Sequence, residues 1–324
     1  MPRQAQPAEL SIFQQELIGT WTNQNLPGTS KGDKTSPYSY NVMVLPQNSP
    51  QSPTQSLGYI LKNFTYYETI RFNGPDAVAV PGAAPNRGGD YQQTPFVLFY
   101  DQQVRFAEGP DVGKIVHLEN GAWLHLQTEK QQIGPYLYPP DHPLYEPGTP
   151  KPQPPNRTMS KQISIPHGVS VLALGNYSEN VGAPNIPNAP SVLPTPPGIG
   201  TDPYQQTLDT PGNYQNPQPN LTANVLSPLQ QAVAGLAAAG TPVNKYIYCQ
   251  VDTNNGGGVL NIPFEIRKAE LAAYQAQYWL LSIDGGANYN ILAYMQNIVL
   301  VIPINGTNYS FPHPTANVVV RVPG

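Results

Sequence analysis

The chain has 324 residues, a net charge of −4 and only 11% charged residues, against roughly 25% in an average soluble domain. No basic run extends beyond Arg267-Lys268, so the clustered Lys and Arg that a nucleic-acid backbone requires are missing and no nucleic-acid partner is expected. Cys249 is the only cysteine, which excludes an intrachain disulfide and any zinc site built from two or more cysteines.

In chain order, the first residues (MPRQAQPAEL) lack the apolar core of a signal peptide, and no segment nears the ~18 apolar residues of a membrane span. A cytoplasmic protein with no membrane span is the expectation. Residues 1–8 read as disordered. Leu10, Phe13 and Leu17 fall at i, i+3 and i+7, which predicts a short amphipathic helix ending near Ile18. Gly19-Thr20-Trp21 then enters the first strand, with Trp21 as a large plug at one end of a barrel or sandwich. Tyr38–Leu45 and Phe64–Phe72 are aromatic and β-branched strands. Residues 74–95 read as a loop, and Phe96–Phe106 as the next strand. Lys114–Leu118 and Ala122–Thr128 are predicted to form a hairpin across Glu119-Asn120-Gly121, because Asn-Gly tolerates φ > 0 at a tight turn.

Thr158–Gly175 is the clearest local signal. Ile163 and Ile165 alternate with Gln162 and Ser164, and Val169, Val171 and Ala173 alternate with Ser170 and Leu172. This predicts two strands joined at Ile165-Pro166-His167-Gly168, with Pro and Gly at the second and fourth turn positions. Two proline-rich insertions, 135–156 and 182–220, carry nine and ten prolines and cannot supply ladder strands. Their interleaved Tyr136, Tyr138, Tyr145, Tyr204 and Tyr214 imply partial packing. Ser227-Pro228 opens a helix over 227–239, with Ser227 as N-cap and Gly240 as the stop, packed on the sheet. Tyr246–Val251, Gly258–Ile266, Tyr278–Ile283, Ile291–Ile302 and Ala316–Val322 resume the strand pattern, with Arg267–Ala276 helix-prone. The fold class is therefore all-β: a single domain over 1–324, a closed antiparallel up-and-down β-barrel of ten to twelve strands, since closure removes edge strands.

Several segments resemble the nitrobindin-type haem-binding β-barrels and their longer bacterial and fungal relatives. Leu17-Ile18-Gly19-Thr20-Trp21 is similar to that family's opening LxGTW, and Glu119-Asn120-Gly121-Ala122-Trp123-Leu124 to its ExGxW strand. Ser164-Ile165-Pro166-His167-Gly168 adds to these. Gly257–Phe264 is similar to a GGxxNIPF segment, and Phe311-Pro312-His313 to a WPH segment of the longer relatives. The resemblance implies a calycin-type barrel around an apolar cavity, with haem as cofactor and nitric oxide or peroxynitrite chemistry. It places the axial iron ligand at His313. Pro312 and Pro314 flank that histidine. Unbroken alternation sets His313 with Asn317 and Arg321, opposite the apolar Ala316, Val318, Val320 and Val322; a bulge at the prolines would reverse it.

Haem requires one axial imidazole and a large apolar pocket. His125 shares a face with Trp123 and is the candidate on the ligand side, with Trp21, Tyr66 and Trp123 shaping the cavity. His117 reads as solvent-facing, His167 as a turn residue and His142 as part of a proline-rich loop. No HxH, HExxH or GxSxG pattern occurs, Gly256-Gly257-Gly258 reads as a flexible hairpin, and the carboxylates Glu265 with Glu270 or Asp101 with Glu108 show no sign of burial. Six Asn-X-Ser/Thr sequons (Asn63, Asn156, Asn176, Asn220, Asn305, Asn308) are attributed to composition. The leading reading is a barrel that holds an apolar small molecule, most readily haem. A cofactor-free barrel enzyme, an isomerase or cyclase acting by confinement, is the second reading, and a non-catalytic interaction protein the third. A homo-oligomer is compatible with all three.

Overall fold

Alternating burial sets the wall of the molecule: in Tyr66–Asn73, Tyr66, Glu68, Ile70 and Phe72 are buried while Arg71 and Asn73 are exposed. The computed structural model describes residues 10–24, 38–46, 59–74, 91–107, 111–128, 157–166, 168–189, 191–197, 224–266 and 269–323. Helix α1 is Ile12–Leu17. The strands are β1 Gly19–Thr22, β2 Tyr40–Pro46, β3 Tyr59–Phe64, β4 Tyr66–Asn73, β5 Tyr91–Phe106, β6 Ile115–Thr128, β7 Met159–Ile165 and β8 Val169–Val181. Helix α2, Ser227–Ala238, precedes β9 Lys245–Asn261, β10 Glu270–Ser282, β11 Ile291–Ile304 and β12 Thr307–Arg321.

Ten antiparallel strands form the ring β1-β4-β5-β6-β7-β8-β9-β10-β11-β12, closed where β12 pairs with β1 through Trp21↔Arg321 and Thr22↔Val320. The all-β barrel read from the sequence is borne out. The β2–β3 hairpin joins the same edge of β12 further along, at Thr315↔Asn41 and Ala316↔Tyr40. Between β1 and β2, side chains replace the ladder. Asn23 donates to the Tyr66 carbonyl and accepts from the Glu68 N–H, and Ser39 bridges both backbone groups of Tyr66.

One end of the barrel is plugged by α1. Ser11 caps it, its Oγ accepting from the Gln14 N–H while the Gln14 side chain accepts from the Ser11 N–H. Phe13 then meets the edges of Trp123 at 5.0 Å and Tyr278 at 6.3 Å. Trp21 donates to the Leu17 carbonyl at 2.7 Å and lies under the Arg321 guanidinium, so it does plug one end. Outside the wall, Leu229 and Ala232 of α2 pack with Trp279, Leu281, Ala293, Met295, Ala316 and Val318. Strands β10–β12 are therefore apolar on both faces beneath this helix.

The 158–175 hairpin forms as expected, with Gly168 N–H donating to Ile165 O at 3.0 Å. Five other expectations are corrected. Residues 114–128 make no hairpin, because Asn120-Gly121 lies mid-strand in β6. A Cβ at Gly121 would sit 2.1 Å from the Gln162 carbonyl and 2.8 Å from the Tyr100 ring, so close approach is what demands glycine there. The Gly256–Gly258 run is inside the continuous strand β9, and the helix-prone 267–276 segment is largely strand, with Leu271, Tyr274, Ala276 and Tyr278 facing one core. Strand β5 begins at Tyr91 within the expected loop, its register shifting around Pro95. Helix α2 starts at Ser227 itself, without a side-chain cap.

Residues 1–8, 135–156, His142, His167, Glu108, and Tyr136, Tyr138, Tyr145, Tyr204 and Tyr214 lie outside the described residues. The described part of 182–220 packs: Ile186 is buried against α2, and Thr195 pairs with Ser310. Among the described residues no helix is long and apolar enough to cross a membrane.

Candidate functional site

Charged residues on the inward parity of three strands build a polar belt across the barrel. Lys161 of β7 shares a face with Met159, Ile163 and Ile165, and is 2% exposed. Its ammonium donates to Tyr274 and Tyr278 hydroxyls, both at 2.9 Å, to Gln296 at 3.3 Å and to Glu119 at 3.4 Å. The rings of Tyr100, Tyr274, Tyr278 and Trp123 surround it at 5.1–5.9 Å. Glu119 also accepts from the Tyr100 hydroxyl at 2.6 Å and contacts His117 Nε2 at 3.4 Å. Burial by itself would raise the Glu119 carboxyl; the Lys161 ammonium and His117 outweigh it and hold the group at about 2. For Lys161 burial works downward, and Tyr278 with Glu119 leaves its pKa raised.

The belt continues through the stacked rings of Tyr278 and Tyr294, 5.5 Å apart, to a second carboxyl, Glu68. Gln102, Tyr294 and Asn317 all donate to Glu68. No cation faces it among the described hydrogen bonds and ion pairs, and burial raises its pKa to about 7 despite the three donors. Two acids in one core thus have pKa values displaced in opposite directions, Glu119 being ionised at neutral pH and Glu68 about half protonated, according to whether an ammonium is adjacent. The sequence signal for all three charged residues was their parity with Ile70, Trp123 and Ile163.

The five residues assigned to a haem site do not share an opening. His125 lies near the plugged end, its ring 6.4 Å from Tyr177. Trp21, Trp123 and Tyr66 are each at most 1% exposed, and the Tyr66 hydroxyl is fixed between Thr315 Oγ1 and the Ala316 carbonyl. His313 is half-buried on β12. The β11–β12 register runs without a shift, so the prolines introduce no bulge and His313 stays in phase with Asn317. That phase faces the interior, since Asn317 reaches Glu68; the apolar set Ala316, Val318 and Val320 faces outward toward α2, with Val318 beneath it. His117, expected in solvent, faces inward with Glu119 and keeps its side chain 33% exposed.

His313 has a structural task. Ser310 exchanges both backbone bonds with Thr195, so the even residues of β12 aim their backbone groups away from β11. One step beyond Thr315↔Asn41, the register sets Pro314 opposite Val42, and proline offers no N–H. His313 Nδ1 donates to the Val42 carbonyl at 2.5 Å instead, which fixes the tautomer. Burial lowers its pKa to about 4, so the ring is neutral at pH 7. That bond leaves Nε2 as the nitrogen an axial histidine would offer, but the assigned aromatic residues Trp21, Trp123 and Tyr66 are packed shut and leave no opening beside it for haem. His313→Ala should lower stability by about 1–2 kcal/mol by orphaning a carbonyl. In a double-mutant cycle by urea unfolding, Pro314→Ala should recover part of that loss by restoring an N–H. Additive effects would rule this pairing out.

A large cavity lies outside the barrel, between α2 and the ends of β1, β11 and β12. It measures about 910 Å³ and is lined by apolar residues such as Leu236, Ala232, Ile291, Val318 and Val320, with Thr22, Tyr38, Thr241, Asn290 and Arg321 as the polar minority. No group of three or more metal-ligating side chains occurs among the described residues. No protein-family model matches the chain, and no curated protein matches it in sequence. The closed barrel is compatible with a calycin-like fold.

Proposed function

We propose that the protein binds an apolar small molecule, and that it does so on the outer face of the barrel beneath α2 rather than in the lumen. One observation carries this reading: the apolar face of β12 continues past α2 at Val320 into a cavity of about 910 Å³, within the range of about 300–1,000 Å³ typical of ligand sites. Apolar walls would supply affinity by area removed from water, and the hydroxyl of Tyr38 with Asn290 could orient one polar end. The lumen offers the opposite environment, crossed by the Lys161–Glu119 and Glu68 hydrogen bonds.

Gly235 allows a direct test. A Cβ there would be 3.7 Å from the Tyr38 hydroxyl, an ordinary contact, so Gly235→Leu can fill the cavity and also favours the helix by roughly 1 kcal/mol. Titration with the neutral dye N-phenyl-1-naphthylamine should give saturable fluorescence in the wild type, and Gly235→Leu should weaken it at least about tenfold, about 1.4 kcal/mol, without lowering the melting temperature. Equal dye binding by both proteins overturns the reading. So does a Soret band with hemin that His313→Ala abolishes, which would return the ligand to the lumen.

A further inference from the structure

A second, smaller pocket of about 380 Å³ lies on the opposite wall, over β8 and β9, and shares no residue with the cavity under α2. It is polar, and its construction starts with an irregular strand. Ala173 pairs with Gly257 and Leu174 with Asp252, leaving residues 253–256 of β9 without partners on β8. Gly257 makes the bulge feasible: its φ is +97°, and a Cβ would lie 2.0 Å from the Leu172 carbonyl. The bulge delivers Asn255 to Arg157, whose Nη2 donates to Asn255 Oδ1 at 2.9 Å.

The hydrogen-bond direction around this pocket is one-sided. Asn176 Oδ1 is consumed by the N–H and hydroxyl of Thr158, at 3.0 and 3.2 Å. Gln250 Oε1 accepts from the Tyr248 hydroxyl at 2.8 Å, and Ser178 Oγ accepts from Asn180 at 3.0 Å. The side-chain acceptors on Asn176, Asn255, Gln250 and Ser178 are thus used within the protein. Their donors remain: the amide NH₂ groups of Asn176, Asn255 and Gln250, and the Ser178 O–H. Arg157 adds a full positive charge whose one described hydrogen bond is to Asn255, and its Nε is buried without a partner among the described residues. Among the described residues no carboxylate lines the pocket. Of the acids nearby in sequence, Asp252 accepts from the Asn254 N–H and Glu179 pairs with Lys245.

We propose that this pocket is a receptor for a small oxyanion, the carboxylate or phosphate group of an organic molecule, held by the Arg157 guanidinium and the converging amides. An oxyanion supplies only acceptors, which is what a ring of spare donors around an unneutralised guanidinium lacks. A neutral polyol would bring hydroxyl protons as well as acceptors, and with the amide oxygens already engaged it matches this donor excess less well and leaves the guanidinium charge uncompensated. The proposal stands independently of the apolar site, so failure of either leaves the other intact.

Calorimetric titration of the full chain at low salt with benzoate, inorganic phosphate and neutral benzamide tests it. Saturable binding of benzoate or phosphate, with none for benzamide, is expected, weakening as sodium chloride is raised. Preference between the two anions identifies the carboxylate or phosphate source. Arg157→Gln should weaken binding at least about tenfold, and Ser178→Ala, at an exposed strand position, should weaken it by a smaller factor with unchanged circular dichroism. No saturable heat with either anion up to about 50 mM, benzamide binding as well as benzoate, or unchanged affinity in folded Arg157→Gln would each overturn the proposal.

Discussion

Replacing Lys161 with methionine is expected to destabilise the protein by about 3–5 kcal/mol, the range for breaking a buried ion pair from one side. Methionine matches the length of the lysine stem, so loss of volume is a minor part of the effect. What remains is Glu119, 7% exposed, with its principal counter-charge gone and only the Tyr100 hydroxyl and half-exposed His117 beside it. Tyr274 and Tyr278 lose the donor they share. Adding Glu119→Gln removes the stranded charge, and the double variant should regain most of the loss. The pH response separates this from generic packing damage. In the wild type the Glu119 pKa is depressed to about 2 from 4.5, so its contribution is present above about pH 4.5 and is lost as pH falls through 2. Without Lys161, burial dominates and the pKa rises, so Lys161→Met should instead gain stability as pH is lowered from 7 toward 4. Urea unfolding at both pH values reads the sign.

The architecture was legible from alternation, because each strand's pattern is local: the 158–175 hairpin, Trp21 and α1 sit where period and composition put them. What alternation cannot supply is which of two faces points inward. On β12 the apolar residues Ala316, Val318 and Val320 suggested a lining, yet they face outward toward α2, with Val318 covered by it, while Asn317 enters the core. That inversion moved the candidate ligand site from lumen to outer wall. It also hid His313's role, since the need for an imidazole at Val42 arises from a proline in a neighbouring strand position 272 residues away in sequence (Pro314 against Val42). Glycine was ambiguous in the same way. Asn120-Gly121 carries the strongest short-range turn signal, and only the crossing of Tyr100 and Gln162 shows that the missing side chain serves packing. Glu68, Glu119 and Lys161 were readable as charges on apolar faces; their pairing depended on strands far apart in sequence.

The sharpest consequence of that pairing concerns Glu68. Its pKa is about 7 folded, against an ordinary value of 4.5, so the native state holds a proton that the unfolded chain has released. The sign follows: stability is greatest below about pH 4.5, declines as pH rises toward 7, and levels off above it, a total of about 3 kcal/mol at 1.36 kcal/mol per pKa unit. His313 runs oppositely, its depressed pKa of about 4 adding stability as pH rises from about 4 to 6.5, so the wild-type curve alone mixes two trends. Glu68→Gln isolates one. The amide stays neutral, its oxygen can accept from Asn317 and Tyr294, and its NH₂ can face Gln102 once that side chain turns its own amide oxygen inward. The stability difference between Glu68→Gln and wild type should therefore move by about 3 kcal/mol in the variant's favour from pH 4.5 to pH 8. Glu68→Ala, which orphans three donors, should be less stable than Glu68→Gln at both. A difference that does not change with pH would mean that Glu68 ionises at its ordinary value, and that the donors of Gln102, Tyr294 and Asn317 outweigh its burial.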